Sequence, residues 1–130
     1  MQPCMTEDAF RDYIEAFNRD DYAGFNAYYA DNVELVLAGR RQLRGKAAIN
    51  AFYMDVKGGS RRTIRIRRLI IGQDGIAAEL ESTFLALVDL PDLFSRPVRA
   101  GESYHHVTFV LYDVADSRFT RIRSARYQTD

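Results

Sequence analysis

His105 and His106, the only histidines of the chain, stand side by side in the stretch ESYHHVTFVLYD. Imidazole titrates close to neutral pH, so either ring could move a proton. Residue types alternate here as in a strand, where successive side chains point to opposite faces, so the two rings cannot share one metal ion or one substrate. His105 falls with Val107, Phe109 and Leu111; His106 falls with Tyr104, Thr108, Val110 and Tyr112. The second face mixes aromatic with hydrogen-bonding groups, which suits a ligand pocket with apolar walls and a few polar anchors. The other reading of His106 is a hydrogen-bonded histidine at a subunit interface or in a wet core.

A second candidate is the pair Glu79 and Glu81, at a spacing that puts both carboxylates on one strand face. Two such groups could form a general acid and base, one raising the pKa of the other. Arg68 shares their face across the expected hairpin, which favours an ordinary cross-strand ion pair. Arginine accounts for 16 of the 18 cations, and SRRTIRIRR carries five of them between Arg61 and Arg68. Aromatic residues do not interleave with this run, and 18 cations balance 18 anions, so nucleic-acid binding is not expected. The run reads as edge-strand protection or an arginine-rich oligomer interface. No P-loop, dinucleotide-binding glycine turn, zinc spacing or nucleophile elbow occurs, so neither a metal nor a nucleotide cofactor is expected.

The elements that would position these groups follow from periodicity. With 130 residues, 47% hydrophobic and 16 of them Phe or Tyr, the chain can enclose a single core. Its start lacks a signal-peptide pattern, no apolar run approaches a membrane span, and Cys4 is the one cysteine; a cytoplasmic protein is expected. Thr6 can cap a helix whose Phe10, Tyr13, Ile14 and Phe17 recur at i, i+3, i+4, i+7. Asp20 or Asp21 can cap a second helix through Tyr22, Phe25, Tyr28 and Tyr29. Val33 to Ala38 reads as a buried strand closed by Gly39, and a third helix carrying Ile49, Phe52 and Tyr53 runs from Gly45 to Gly58-Gly59. From Thr63 the period becomes two: strands are expected at Thr63–Ile71, Ile76–Val88, Glu102–Asp113 and Phe119–Tyr127, the first two joined by the hairpin signal GQDG. Even-numbered residues of the first are expected opposite odd-numbered residues of the second. Helices before strands imply an α+β fold with an antiparallel sheet.

This order of elements, with DYIEAFNRDDYAGFNAYYADNVELVLAG, RGKAAINAFY and RPVRAG within it, resembles the SnoaL-like and ketosteroid-isomerase-like proteins of the nuclear transport factor 2-like superfamily. The resemblance spans residues 1–130 as one domain. It implies a cone-shaped α+β barrel, three N-terminal helices on a curved, mostly antiparallel sheet, enclosing a pocket for a small hydrophobic or aromatic molecule and dimerising through the sheet. DYIEAF matches the helix that carries the oxyanion-hole tyrosine of ketosteroid isomerases, which gives that role to Tyr13. The aspartate base of those enzymes would fall within Leu35 to Leu37 and their late-strand acid near Thr108, where this chain has no acid. Steroid isomerisation of that type is therefore not expected. The resemblance turns Thr108, and with it His106, toward the cavity. Tyr13 and His106 are then the candidate catalytic pair, and Phe17, Tyr29, Leu37, Phe52, Tyr53 and Thr108 the candidate walls. Cofactor-free isomerisation, dehydration or cyclisation by proton transfer is the expected activity class; a non-catalytic ligand-binding or protein-interaction module is the alternative.

Overall fold

The computed structural model describes residues 5–37, 41–93 and 96–129, without the side chains of residues 56, 57, 91–93, 96 and 129. Cys4, Ala38 and Gly39 lie outside the described residues. Helix α1 (Glu7–Asn18) starts where Thr6 accepts a hydrogen bond from the Ala9 amide at 3.1 Å, with Glu7 and Asp8 in its first turn. Its buried stripe holds Phe10, Tyr13, Ile14 and Phe17. Asp21 caps the short helix α2 (Tyr22–Asn26) by accepting from the Gly24 amide. The third helix, α3 (Lys46–Gly58), buries Ile49 and Tyr53.

Among the described residues eight strands follow or interleave: β1 (Tyr29–Leu37), β2 (Arg41–Arg44), β3 (Ser60–Ile71), β4 (Gly75–Ala86), β5 (Leu90–Leu93), β6 (Arg96–Val98), β7 (Ser103–Ala115) and β8 (Arg118–Thr129). Six form one sheet in the order β2-β1-β8-β7-β4-β3, antiparallel except for β1 against β8; β5 and β6 pair separately. The helices pack on this sheet, as an α+β cone requires. Phe10, Tyr13, Phe25, Tyr29, Tyr112 and Phe119 form the centre of the core, with Tyr13 and Phe119 edge to face at 4.8 Å. A smaller core of Phe84, Ala86, Val98 and Tyr104 lies where β4 and β7 meet β6.

Three expectations change. Tyr28 and Tyr29 do not belong to the second helix: that helix stops at Asn26, and Tyr29 opens β1 opposite Phe119 of β8. A five-residue helix gains little by extension, whereas Tyr29 in the strand becomes fully buried. Strands β2, β5 and β6 were not expected at all. The third change lies in the β3–β4 hairpin. Near the turn Arg68 faces Glu79 and Ile70 faces Ala77, even against odd as expected, but Ile66 faces Leu80 and Ile64 faces Ser82. Arg67 is an extra residue, a β-bulge that reverses the parity of everything before it. Hence Ile64 and Ile66 share the inner face with Leu69 and Ile71, while Arg65, Arg67, Arg68 and Ile70 face outward. Gly75 closes the turn where a Cβ would meet the Tyr112 carbonyl at 2.8 Å.

The outer strand β3 is braced by a side chain. Asn18, the last residue of α1, donates to the Ile64 carbonyl at 2.9 Å and accepts from the Ile64 amide at 2.8 Å, as a neighbouring strand would.

Candidate functional site

Between the helices and the inner face of the sheet lies a cavity of about 160 Å³. Tyr13 and Phe17 reach it from α1, Leu35 and Leu37 from β1, Phe52 and Tyr53 from α3. The sheet contributes Arg62, Ile64, Leu80, His106, Thr108, Val110 and Tyr112, with Ile122, Ser124 and Arg126 from β8. Of the eight candidate residues, Tyr13, Phe17, Leu37, Phe52, Tyr53, His106 and Thr108 line this one space. Tyr29 does not: fully buried, it sits behind Tyr13, with its hydroxyl 2.9 Å from the Tyr13 hydroxyl. Its place in a strand, not a helix, turns its ring into the core.

His106 is 6% exposed, and its neighbour His105 faces the other way and contacts Thr83 at 3.0 Å. The His106 ring meets the edges or faces of Phe84 at 5.3 Å and Tyr104 at 5.8 Å. Burial first, then the positive charges of Arg62 and Arg126, push its pKa down to about 3. It is therefore a neutral imidazole near pH 7, able to donate at one nitrogen and accept at the other. Tyr13 is shifted the opposite way: burial, and then the oxygens of Tyr29, Tyr112 and Tyr53, raise its pKa well above the ordinary phenol value. It keeps its proton and can donate it in a hydrogen bond to a ligand oxygen.

Arg62 was not singled out from the sequence, where it is one of five arginines in SRRTIRIRR. The bulge at Arg67 places it on the inner face in the alternation Ser60, Arg62, Ile64, Ile66. Its guanidinium lies over the rings of Phe84 at 5.0 Å and Phe17 at 5.3 Å, and donates to Ser82 Oγ at 3.1 Å. Ser82 in turn stands directly across from His106 in the β4–β7 ladder. The pattern of even residues Ser60 to Ile66 was the available signal for Arg62, hidden by the wrong parity assigned across the hairpin. Arg126 enters similarly, after an irregularity in the β7–β8 ladder sets it opposite Thr108; it donates to the Tyr104 hydroxyl at 2.8 Å.

No carboxylate lines the cavity among the described residues. Leu35 and Leu37 occupy the strand where an aspartate base was sought. Glu79 and Glu81 belong to the outer face, where Glu81 pairs with Arg65 at 3.3 Å and Glu79 accepts from the Tyr127 hydroxyl. Among the described residues no three His, Cys, Asp or Glu side chains are placed to hold a metal ion, and no helix is long and apolar enough to cross a membrane.

The SnoaL-like domain model matches residues 10–122. No curated protein matches the chain. Among solved structures, a protein of Xanthomonas campestris pv. campestris, provisionally named a polyketide cyclase, is 22% identical with a TM-score of 0.76, the match covering 93% of this chain and 88% of that one. A second protein so named, from a Silicibacter species, is 20% identical with a TM-score of 0.79 over 92% and 87% of the two chains. An epoxide hydrolase of M. tuberculosis is 15% identical with a TM-score of 0.72, covering 92% of this chain and 80% of the other. At these identities the likeness is one of fold.

Proposed function

The chain belongs to the SnoaL-like domain family of the nuclear transport factor 2-like superfamily, and from that premise we propose that its cavity binds a small hydrophobic or aromatic molecule and moves a proton on it without a cofactor. One observation carries this reading: a single space of about 160 Å³ brings the protonated phenol of Tyr13 and the neutral imidazole of His106 to the same apolar walls. In the arrangement where Tyr29 donates to Tyr13, the Tyr13 proton points to a ligand carbonyl and stabilises the enolate as it forms. His106 takes the proton from the carbon beside that carbonyl and returns it elsewhere, which gives isomerisation, dehydration or ring closure according to the substrate. Arg62 and Arg126 favour the developing negative charge. Relatives that bear the names of cyclase and epoxide hydrolase place enzymes on this fold.

The low basicity of His106 favours a second reading, a non-catalytic carrier with the same pocket. A base of pKa about 3 gains a proton only if the substrate carbon is made unusually acidic or the ligand's own charge raises the imidazole. The two readings separate by incubating the protein with small cyclic ketones in deuterated water and following exchange at the α-carbon. Exchange that is lost in both His106→Ala and Tyr13→Phe supports catalysis. Saturable binding of the ketone with no exchange supports the carrier.

The proposal includes a homodimer formed through the outer face of the sheet, supported by the exposed Ile70, Phe109, Leu111 and Tyr127 on that face. The chain's single cysteine suits a reducing compartment, so the proposal places the protein in the cytoplasm.

A further inference from the structure

Arg62 brings a charge to an aromatic part of the cavity wall. Its guanidinium is enclosed by Phe17, Phe84 and Ser82, burial pulls its pKa down, and its Nε is shut off from solvent with no acceptor. Among the described residues no Asp or Glu pairs with it, although its outward-facing neighbour Arg65 has Glu81 at 3.3 Å. A cation whose guanidinium is partly shut off from water and lacks an anion is destabilising unless something else compensates. The rings and the Ser82 hydroxyl provide only part of that compensation, because neither carries a formal charge.

We infer that the cavity is selective for apolar monocarboxylates, whose anionic end pairs with the Arg62 guanidinium while the rest of the molecule lies against Phe17, Leu35, Leu37 and Phe52. This rests on the reading of the cavity as a ligand pocket and narrows its ligand class. Besides Arg62 the lining holds one other charged group among the described residues, Arg126, which already donates to the Tyr104 hydroxyl at 2.8 Å, so a ligand with charge at more than one end would have no second cation to itself. Arginine presents a planar fork of donors matched to a carboxylate. The size also fits: a dry cavity of about 150 Å³ accommodates a benzene-sized molecule. The chain's 18 cations balance its 18 anions, but the charge of the ligand follows from which of those cations line the cavity, not from the balance of all of them.

The test compares benzoate with its neutral isostere benzamide at pH 7, using calorimetric titration of the full chain and amide chemical shifts to locate the site. Benzoate is expected to bind at least about tenfold more tightly than benzamide, as one charge-assisted pair in a dry site implies. The shifts should move at Ser82 and His106. In Arg62→Met the preference is expected to collapse to about onefold while benzamide binding persists, which also reports that the variant is folded. If Arg62→Met shows no cooperative melt, Arg62→Lys replaces it and should retain only part of the preference, because it keeps the charge and loses the fork. Equal affinity for the two compounds in the unmodified protein, an unchanged preference in the variant, or shifts confined to Arg65, Arg67 and Arg68 would overturn the carboxylate site and leave the apolar pocket standing. Binding of neither compound would remove the pocket itself, and the carboxylate site with it.

Discussion

The hydroxyls of Tyr13 and Tyr29 lie 2.9 Å apart, joining helix α1 to strand β1 at the floor of the cavity. Each tyrosine is within the buried core, and each has its pKa raised by burial, so both remain protonated and one donates to the other. Tyr29 thus fixes the direction of the Tyr13 phenol without touching the cavity. Either Tyr→Phe change leaves one buried oxygen without this partner, at about 1–2 kcal/mol of stability. The double variant should cost less than the sum of the two by about 1 kcal/mol. Strict additivity in urea denaturation would show that the pair is not coupled.

His106 makes stability depend on pH. Its folded pKa of about 3 lies below the unfolded value near 6.5, so between these two the unfolded chain binds the extra proton. Its contribution is complete above pH 6.5 and is lost as the pH falls toward 3. Allowing for partial access of solvent, the loss between pH 6.5 and pH 4 should be on the order of 2 kcal/mol. The difference between the unmodified protein and His106→Gln, measured by denaturation across this range, isolates it. Parallel pH profiles would mean that His106 protonates without penalty.

Asn18 replaces a missing neighbour of β3 with two hydrogen bonds to Ile64. Asn18→Ala should cost about 2 kcal/mol, and Asn18→Asp at least as much, because it sets a carboxylate oxygen against the Ile64 carbonyl where the amide had donated. Hydrogen exchange at the Ile64 amide should accelerate in Asn18→Ala before the rest of β3 responds. Protection that is unchanged at Ile64 would assign the brace no energetic role.

Phe109 and Tyr127 stack at 4.3 Å on the outer face of the sheet, both about half exposed. If that face joins two copies, Phe109→Glu should convert a species of twice the chain mass into one of the chain mass in sedimentation velocity, because it would bury an unpaired charge from each copy in the interface. A protein that sediments as a monomer before substitution would exclude the sheet dimer.

Long periodic elements were legible in the sequence because burial enforces their pattern. The stripe from Phe10 to Phe17, the hairpin at Asp74-Gly75 and the division of Tyr104–Tyr112 into two faces all appear in the structure as read. Strand β2 is RQLR, four residues with one partly buried side chain; it is a strand because Leu43 pairs with Leu35, a partner no local pattern reveals. Tyr29 was misplaced for a related reason, since aromatic residues at helical spacing also suit a strand that pairs with Phe119. The candidate site was legible where one residue could be assigned to one face, as for His106 and Thr108. It failed at Arg62, because the arginine's direction is set by a residue five positions later.

That residue, Arg67, makes strand β3 a message with two reading frames. From Ile71 back to Arg68 odd positions face inward, and from Ile66 back to Ser60 even positions do. Deleting Arg67 would leave Ile66 opposite Leu80 and the upstream half in place, but drawing Arg67 into regular pairing would shift that half by one step, sending Ile64 and Ile66 to water and turning Arg65, Thr63 and Arg61 toward the cavity. The cavity would still receive an arginine, but the core would lose its isoleucines. The single out-of-step residue therefore binds two traits into one inheritance: a lineage that takes it into the ladder cannot reposition the cavity's cation without also unmaking the wall that holds it.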